Sequence, residues 1–227
     1  MNVQSSLLAE LASAIPKDLL DCSGKVYYSG RNAFRAGAPI YILGANPGGA
    51  PASNPNETVR SHSTWVTECA PVSWSAYRDE SWEGKPPGTF RMQPRILHLL
   101  SSLGLDAGDI PASNLAFVRS RRLATLESDF QELAEACWPF HAYVLEQVRP
   151  RLVLCLGGEA GDFVRAKLHA TQLMDSFIEA NNRRWQSSIY ETAQGPKVAV
   201  LTHPSIANWR SPATDPTPLV QRYVNGV

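Results

Sequence analysis

The chain has 227 residues, 44% hydrophobic and 19% charged, a size and balance that fit one globular domain with a sizeable core. Lysine plus arginine equals aspartate plus glutamate at 21 each, so the formal net charge is zero, which disfavours wrapping duplex or coating an anionic membrane through bulk charge. No apolar run reaches the roughly 20 residues that span a bilayer, and the start, MNVQSSLLAELASAIPKDLL, has no basic opening and carries Glu10, so it is a poor signal peptide. In chain order, Ser5 to Ile15 has helical apolar spacing and stops before Pro16. The run APIYILGANPGG reads as a buried strand and the loop that leaves it. Residues 50 to 89 differ in character: rich in Ser, Pro and Asn, with Trp65, Trp74 and Trp82, they read as a long structured loop or insertion on one face. Phe90 to Leu103 returns to helical spacing, with Gly104 as its cap.

SNLAFVRS, from Ser113, reads as a second short strand. Ser128-x-x-Gln131 has the pattern of a capping box and opens a helix that runs to about Val148, with a kink expected near Pro139. RLVLCLGG is a third buried strand, followed by a helix from about Glu159. Arg184 to Tyr190 and Lys197 to Leu201 flank the turn AQGP and supply one or two further strands, and Asp215 to Val224 closes the chain as a helix. Strands alternating with helices predict an α/β fold with a mainly parallel sheet covered on both faces. Ligands in such folds sit beyond the carboxyl ends of the strands. The informative loops are therefore GANPGG, the stretch around SNLAFVRSRR, and THPSIANWR. There is no internal repeat, and a single domain over 1 to 227 is expected.

Several chemistries are argued against. GANPGG is neither G-x-G-x-x-G nor a P-loop, and Pro47 removes a backbone donor that a phosphate cradle would use. There is no G-x-S-x-G elbow. Cys22, Cys69, Cys137 and Cys155 form no C-x-x-C pair, and the five histidines have no metal-binding spacing, so no metal and no cofactor are expected, in a cytoplasmic protein. What remains is one polar side chain per informative loop: Asn46, Asn114 and His203. An Asn offers a donor and an acceptor together, as the edge of a pyrimidine requires. A His at a strand end can donate to a developing anion. Phe90 is placed where a ring could stack on a planar base. Each alone also has a structural reading, as a turn former, a loop residue, a core ring or a strand-end hydrogen-bonding group. Together they describe a pocket for a planar heterocycle.

Gly44-Ala45-Asn46-Pro47-Gly48 resembles the first motif of the uracil-DNA glycosylase superfamily in its G-x-N-P-G form, shared by the mismatch-specific and single-strand-selective branches. His203-Pro204-Ser205 resembles the second motif, Gly88-Thr89-Phe90 the segment that carries the base-stacking ring, and Asn114 the strand-end residue that reads the uracil edge. The matches keep the family's order from about Ile40 to Ser205. The resemblance implies a three-layer αβα sandwich around a central, mainly parallel four-stranded sheet. It also implies hydrolysis of the N-glycosidic bond of uracil or a related deaminated base flipped out of DNA. Asn46 would position water and His203 would stabilise the departing base anion. Phe90, Asn114, Gly44 and Ala45 would hold the base. Pro47, Gly48, Gly49 and Ser205 would grip phosphates, joined by Arg119, Arg121 and Arg122 if that cluster faces the backbone and not solvent. After H-P-S the loop reads Ile206-Ala207-Asn208-Trp209, a departure from the family pattern, and Ile206 or Trp209 would be the wedge that fills the gap left in the duplex. The implied partner is DNA and the implied state a monomer. The alternatives are an inactive nucleic-acid-binding protein with the same fold, or an enzyme or sensor for a free base or nucleoside.

Overall fold

The structure, a computed structural model, describes residues 3–122 and 130–224. Its centre is set by three runs buried on both faces: β1 (Ile40–Gly44), β3 (Leu152–Leu156) and β6 (Lys197–Leu201). With the three-residue β2 (Ala112–Asn114) they form a parallel block in the order β2-β1-β3-β6. Alternate residues face opposite layers, as strand geometry requires. Tyr41, Leu43, Val153, Cys155 and Val198 pack with α1 (Val3–Ser13), α4 (Phe130–Val148) and α5 (Gly158–Lys167). Ile40, Ile42, Leu152, Leu154 and Leu201 pack with α3 (Gln93–Ser102) and α6 (Thr217–Val224). Both faces are thus covered, giving the layered α/β arrangement expected.

The sheet is larger than four strands, which corrects the expectation. β5 (Gln186–Glu191) pairs antiparallel with β6, and β4 (Gln172–Ile178) antiparallel with β5, so six strands form one mixed sheet. β4 is an edge strand with most of its residues exposed, so it carries no apolar period to read. The opposite edge is covered by residues 24–28, which run antiparallel to β2 and place Lys25 N–H on Phe117 O (3.0 Å) and Tyr28 N–H on Ala112 O (2.9 Å).

Residues 50–89 are not one unbroken loop. They contain α2 (Val59–Thr64), capped by Thr58 and continued by a π-helical turn, Trp65–Cys69. Trp74 is buried, and Trp82 packs edge-on to Tyr77. α4 runs through Pro139 as a single helix; its expected capping box at Ser128 lies outside the described residues. α3 starts at Gln93, later than expected, and leaves Phe90 in the loop before it. Its end is closed by Leu105 N–H on Leu100 O and Gly104 N–H on Ser101 O, the paired bonds of a Schellman motif. Among the described residues no helix is long and apolar enough to cross a membrane.

Candidate active site

The four parallel strands end on one edge of the sheet, and the loops leaving them carry the residues singled out by sequence. Gly44 and Asn114 are register partners at the ends of β1 and β2. A Cβ at position 44 would collide with Asn114 Oδ1, so glycine here makes the room in which the Asn114 side chain lies across the strand end. Asn114 is buried. The polar group that Asn114 acts on is the Tyr28 hydroxyl, whose pKa it lowers as a hydrogen-bond donor, so the amide N–H is turned toward Tyr28 at the strand end.

The loop after β1 runs on beside the segment after β2, with Leu115 N–H on Gly44 O, Ala116 N–H on Ala45 O and Ser120 N–H on Pro47 O. Asn46 is fixed between them. Its Nδ2 donates to Ser120 Oγ (2.9 Å), Val118 O and Pro47 O (3.2 Å each). With the amide nitrogen engaged, Oδ1 is the atom left to accept from a water. An amide does not take up a proton near neutral pH, so Asn46 can orient a water but not deprotonate it.

His203 follows β6, the neighbour of β3, and rests over Gly157, where a Cβ would come within 3.3 Å of the imidazole. Gly157 has φ +98°, a left-handed conformation that glycine adopts without strain. Ser205 N–H donates to His203 Nδ1 (3.0 Å), and Ser205 Oγ lies 2.7 Å from the same atom. Because a backbone N–H can only donate, Nδ1 is the acceptor and the neutral ring carries its proton on Nε2. Burial holds the His203 pKa below its usual value, with the Glu159 carboxylate pulling weakly the other way. The imidazole is therefore a neutral Nε2–H donor. β1 and β6 flank β3, so Asn46 and His203 follow strands that are two spacings, about 10 Å, apart.

Other expected site residues sit differently. Pro47 is buried and its carbonyl is engaged by Ser120, so only Gly48 and Gly49 of that turn are exposed. Ala45 packs on the core. The Arg119 side chain is buried, with Nη2 on Glu57 Oε1 (2.5 Å) and Nη1 on Gly48 O (2.7 Å); it braces the motif loop and does not face solvent. Arg121 and Arg122 are exposed. Both donors of Ser205 are turned to His203. Trp209 is fully buried, with Nε1 on Thr202 O (3.1 Å), so it cannot enter a duplex; Ile206, 51% exposed, can. Phe90 is half-buried beneath Arg91 (5.3 Å) and stacks on no other ring among the described residues. The first turns of α3 do reach the second motif, since Arg95 donates to Pro204 O.

Three features were not singled out from sequence. Tyr28 is half-buried beside Asn114, its pKa pushed up first by loss of solvent around the hydroxyl and then by Glu80, with Arg119 and Asn114 acting the other way. Lys25, buried, is ion-paired to Glu57 (3.3 Å) and Glu80. Arg183, in the β4–β5 turn, stacks on Trp185 (4.1 Å) and donates to Ile206 O (3.2 Å), which places a cation beside the exposed apolar tip. A charge inside the β-rich run Gly24-Lys25-Val26-Tyr27-Tyr28 is the one available signal. No protein-family model and no curated protein matches the chain. Among the described residues, no three His, Cys, Asp or Glu side chains are grouped to hold a metal ion.

Proposed function

We propose that the protein is a DNA glycosylase that hydrolyses the N-glycosidic bond of uracil or a related deaminated base turned out of the duplex, a monomeric, cytoplasmic enzyme of base excision repair. The observation that carries this reading is the placement of Asn114, a buried amide that lies across the end of β1 against Gly44. Deamination replaces an exocyclic amine by a carbonyl, so a strand-end amide that donates its N–H to the base selects the deaminated base and opposes its amino parent. Asn46 Oδ1 holds the attacking water, a matter of orientation. His203 Nε2–H stabilises the anionic base as the glycosidic bond breaks; one preorganised donor of this kind is worth roughly 3 kcal/mol. Gly48, Gly49, Arg121, Arg122 and Arg183 form the phosphate rim, and Ile206 fills the vacated stack.

The test is release of free base from oligonucleotides carrying uracil, hypoxanthine, xanthine or mismatched thymine, in single and double strands. Abasic sites should accumulate on at least one deaminated base, and not on cytosine or adenine. A protein that binds these oligonucleotides and releases nothing would be an inactive relative, and the proposal would fall.

A further inference from the structure

Away from the strand ends, Lys25 and the 50–89 segment line an open cleft of about 480 Å3, within the roughly 300–1,000 Å3 of small-molecule sites. None of Asn46, Asn114 and His203 lines it. One wall is aromatic, and the rest is polar, with Asn54, Asn56 and Ser61 on it. Trp65 meets the buried Trp74 edge to face at 5.0 Å, and the His62 ring lies 6.0 Å from each. Trp65 is 39% exposed, so part of its indole is left uncovered. Beside these rings lies the Lys25 ammonium, which donates to Glu80 and is ion-paired to Glu57 at 3.3 Å. Glu80 uses Oε1 for Lys25, while Oε2 is buried without a partner. His62, 7% exposed, also has a buried Nδ1 without a partner. Lys25 and Arg119 balance Glu57 and Glu80, so the cleft offers an ion no net attraction.

We infer that this cleft binds an uncharged, planar nitrogen heterocycle through an edge that carries an N–H beside a hydrogen-bond acceptor. The N–H donates to the accessible part of the Glu80 carboxylate, the acceptor takes a proton of the Lys25 ammonium, and the ring face covers Trp65. An ion pair presents an acceptor next to a donor, which is the complement of such an edge. His62 adds no charge of its own, since burial, with Lys25 and Arg119 nearby, pushes its pKa down to about 3. Lactam rings and amino-substituted rings share this edge. The inference does not depend on base release from DNA.

Titrating the full chain with inosine, uridine and adenosine, followed by tryptophan fluorescence and calorimetry, tests it and separates the two kinds of edge. At least one should bind saturably, and its counterpart methylated on the edge (1-methylinosine, 3-methyluridine or N6,N6-dimethyladenosine) should bind at least about tenfold more weakly. Glu80→Gln should weaken binding by a similar factor. Because that change disturbs a buried ion pair, Trp65→Ala, at a partly exposed position, gives the second reading and should weaken binding about fivefold. Absence of saturable binding by all three nucleosides, equal binding of the methylated form, or unchanged affinity in the folded variants would overturn the inference. Base release by the unaltered chain is read separately, so either conclusion can fail alone.

Discussion

The strand-end loops and the 50–89 segment hold their polar groups by opposite means. At the strand ends each group is fixed by main-chain partners a few residues away in space and close to a parallel strand: Asn46 on Val118 O and Pro47 O, His203 on Ser205 N–H. Around the cleft, charged side chains fix one another across long stretches of chain, with Lys25 on Glu57 and Glu80, and Arg119 on Glu57. In the proposed enzyme the first arrangement holds neutral donors and acceptors for the base and the water, and each rests on local partners. The second is part of what holds the fold together. Removing a group at the strand ends should therefore cost chemistry, and removing one at the cleft should cost stability.

Lys25→Met tests the second half most severely. It leaves Glu57 and Glu80 without their shared cation, and breaking a buried pair on one side typically costs on the order of 3 kcal/mol. Urea unfolding should show that loss, and a change below about 1 kcal/mol would mean the cluster is solvated. His203→Ala tests the first half. Base release should fall about 100- to 1,000-fold, the usual cost of one preorganised donor, while the urea midpoint stays within experimental error of the parent. If both fall together, the contrast between the two regions is wrong.

Acid should separate the regions less sharply. His62 and His141 are buried, with pKa values lowered mainly by burial to about 3 and about 4. The unfolded chain takes up these protons below about pH 6.5 and the folded chain does not, so stability is full above that pH and falls as pH drops toward 4. The slope is up to about 1.4 kcal/mol per pH unit for each histidine. His62→Gln should remove one share of that slope between pH 6.5 and pH 4, leaving the share of His141, whose Nε2 donates to Leu115 O and whose Nδ1 accepts from Tyr41. An unchanged slope in unfolding curves over this range would show that His62 protonates freely in the folded state.

What could be read in advance follows the same division. β1, β3 and β6 are legible because strands buried on both faces are continuous apolar runs, and Asn46 and His203 are legible because each follows such a run, whereas the strand read from Ser113 onward ends at Asn114, with LAFVRS beyond it. β4 was hidden because an exposed edge strand has no period. Arg119 looked like a phosphate ligand because its partner, Glu57, is 62 residues away in sequence. Trp209 looked like a wedge because nothing local says that its indole turns inward onto Thr202 O. The Lys25 cluster draws on three separate segments, so no spacing announces it.

The smallest expected effect concerns the tip beside the second motif. Arg183 is held against Trp185 and Ile206 O, a placement that puts its charge next to the one exposed apolar side chain of that loop. If Ile206 enters the duplex, the flanking phosphate must pass within reach of this guanidinium. Arg183→Ala should then weaken DNA binding nearly uniformly across sequences and lower the slope of log affinity against log salt by about 1. Arg119→Ala, by contrast, removes a buried brace and no phosphate contact, so its salt slope should match the parent even where the affinity drops. A salt slope that changes with Arg119 and not with Arg183 would move the DNA track from the β4–β5 turn to the motif loop.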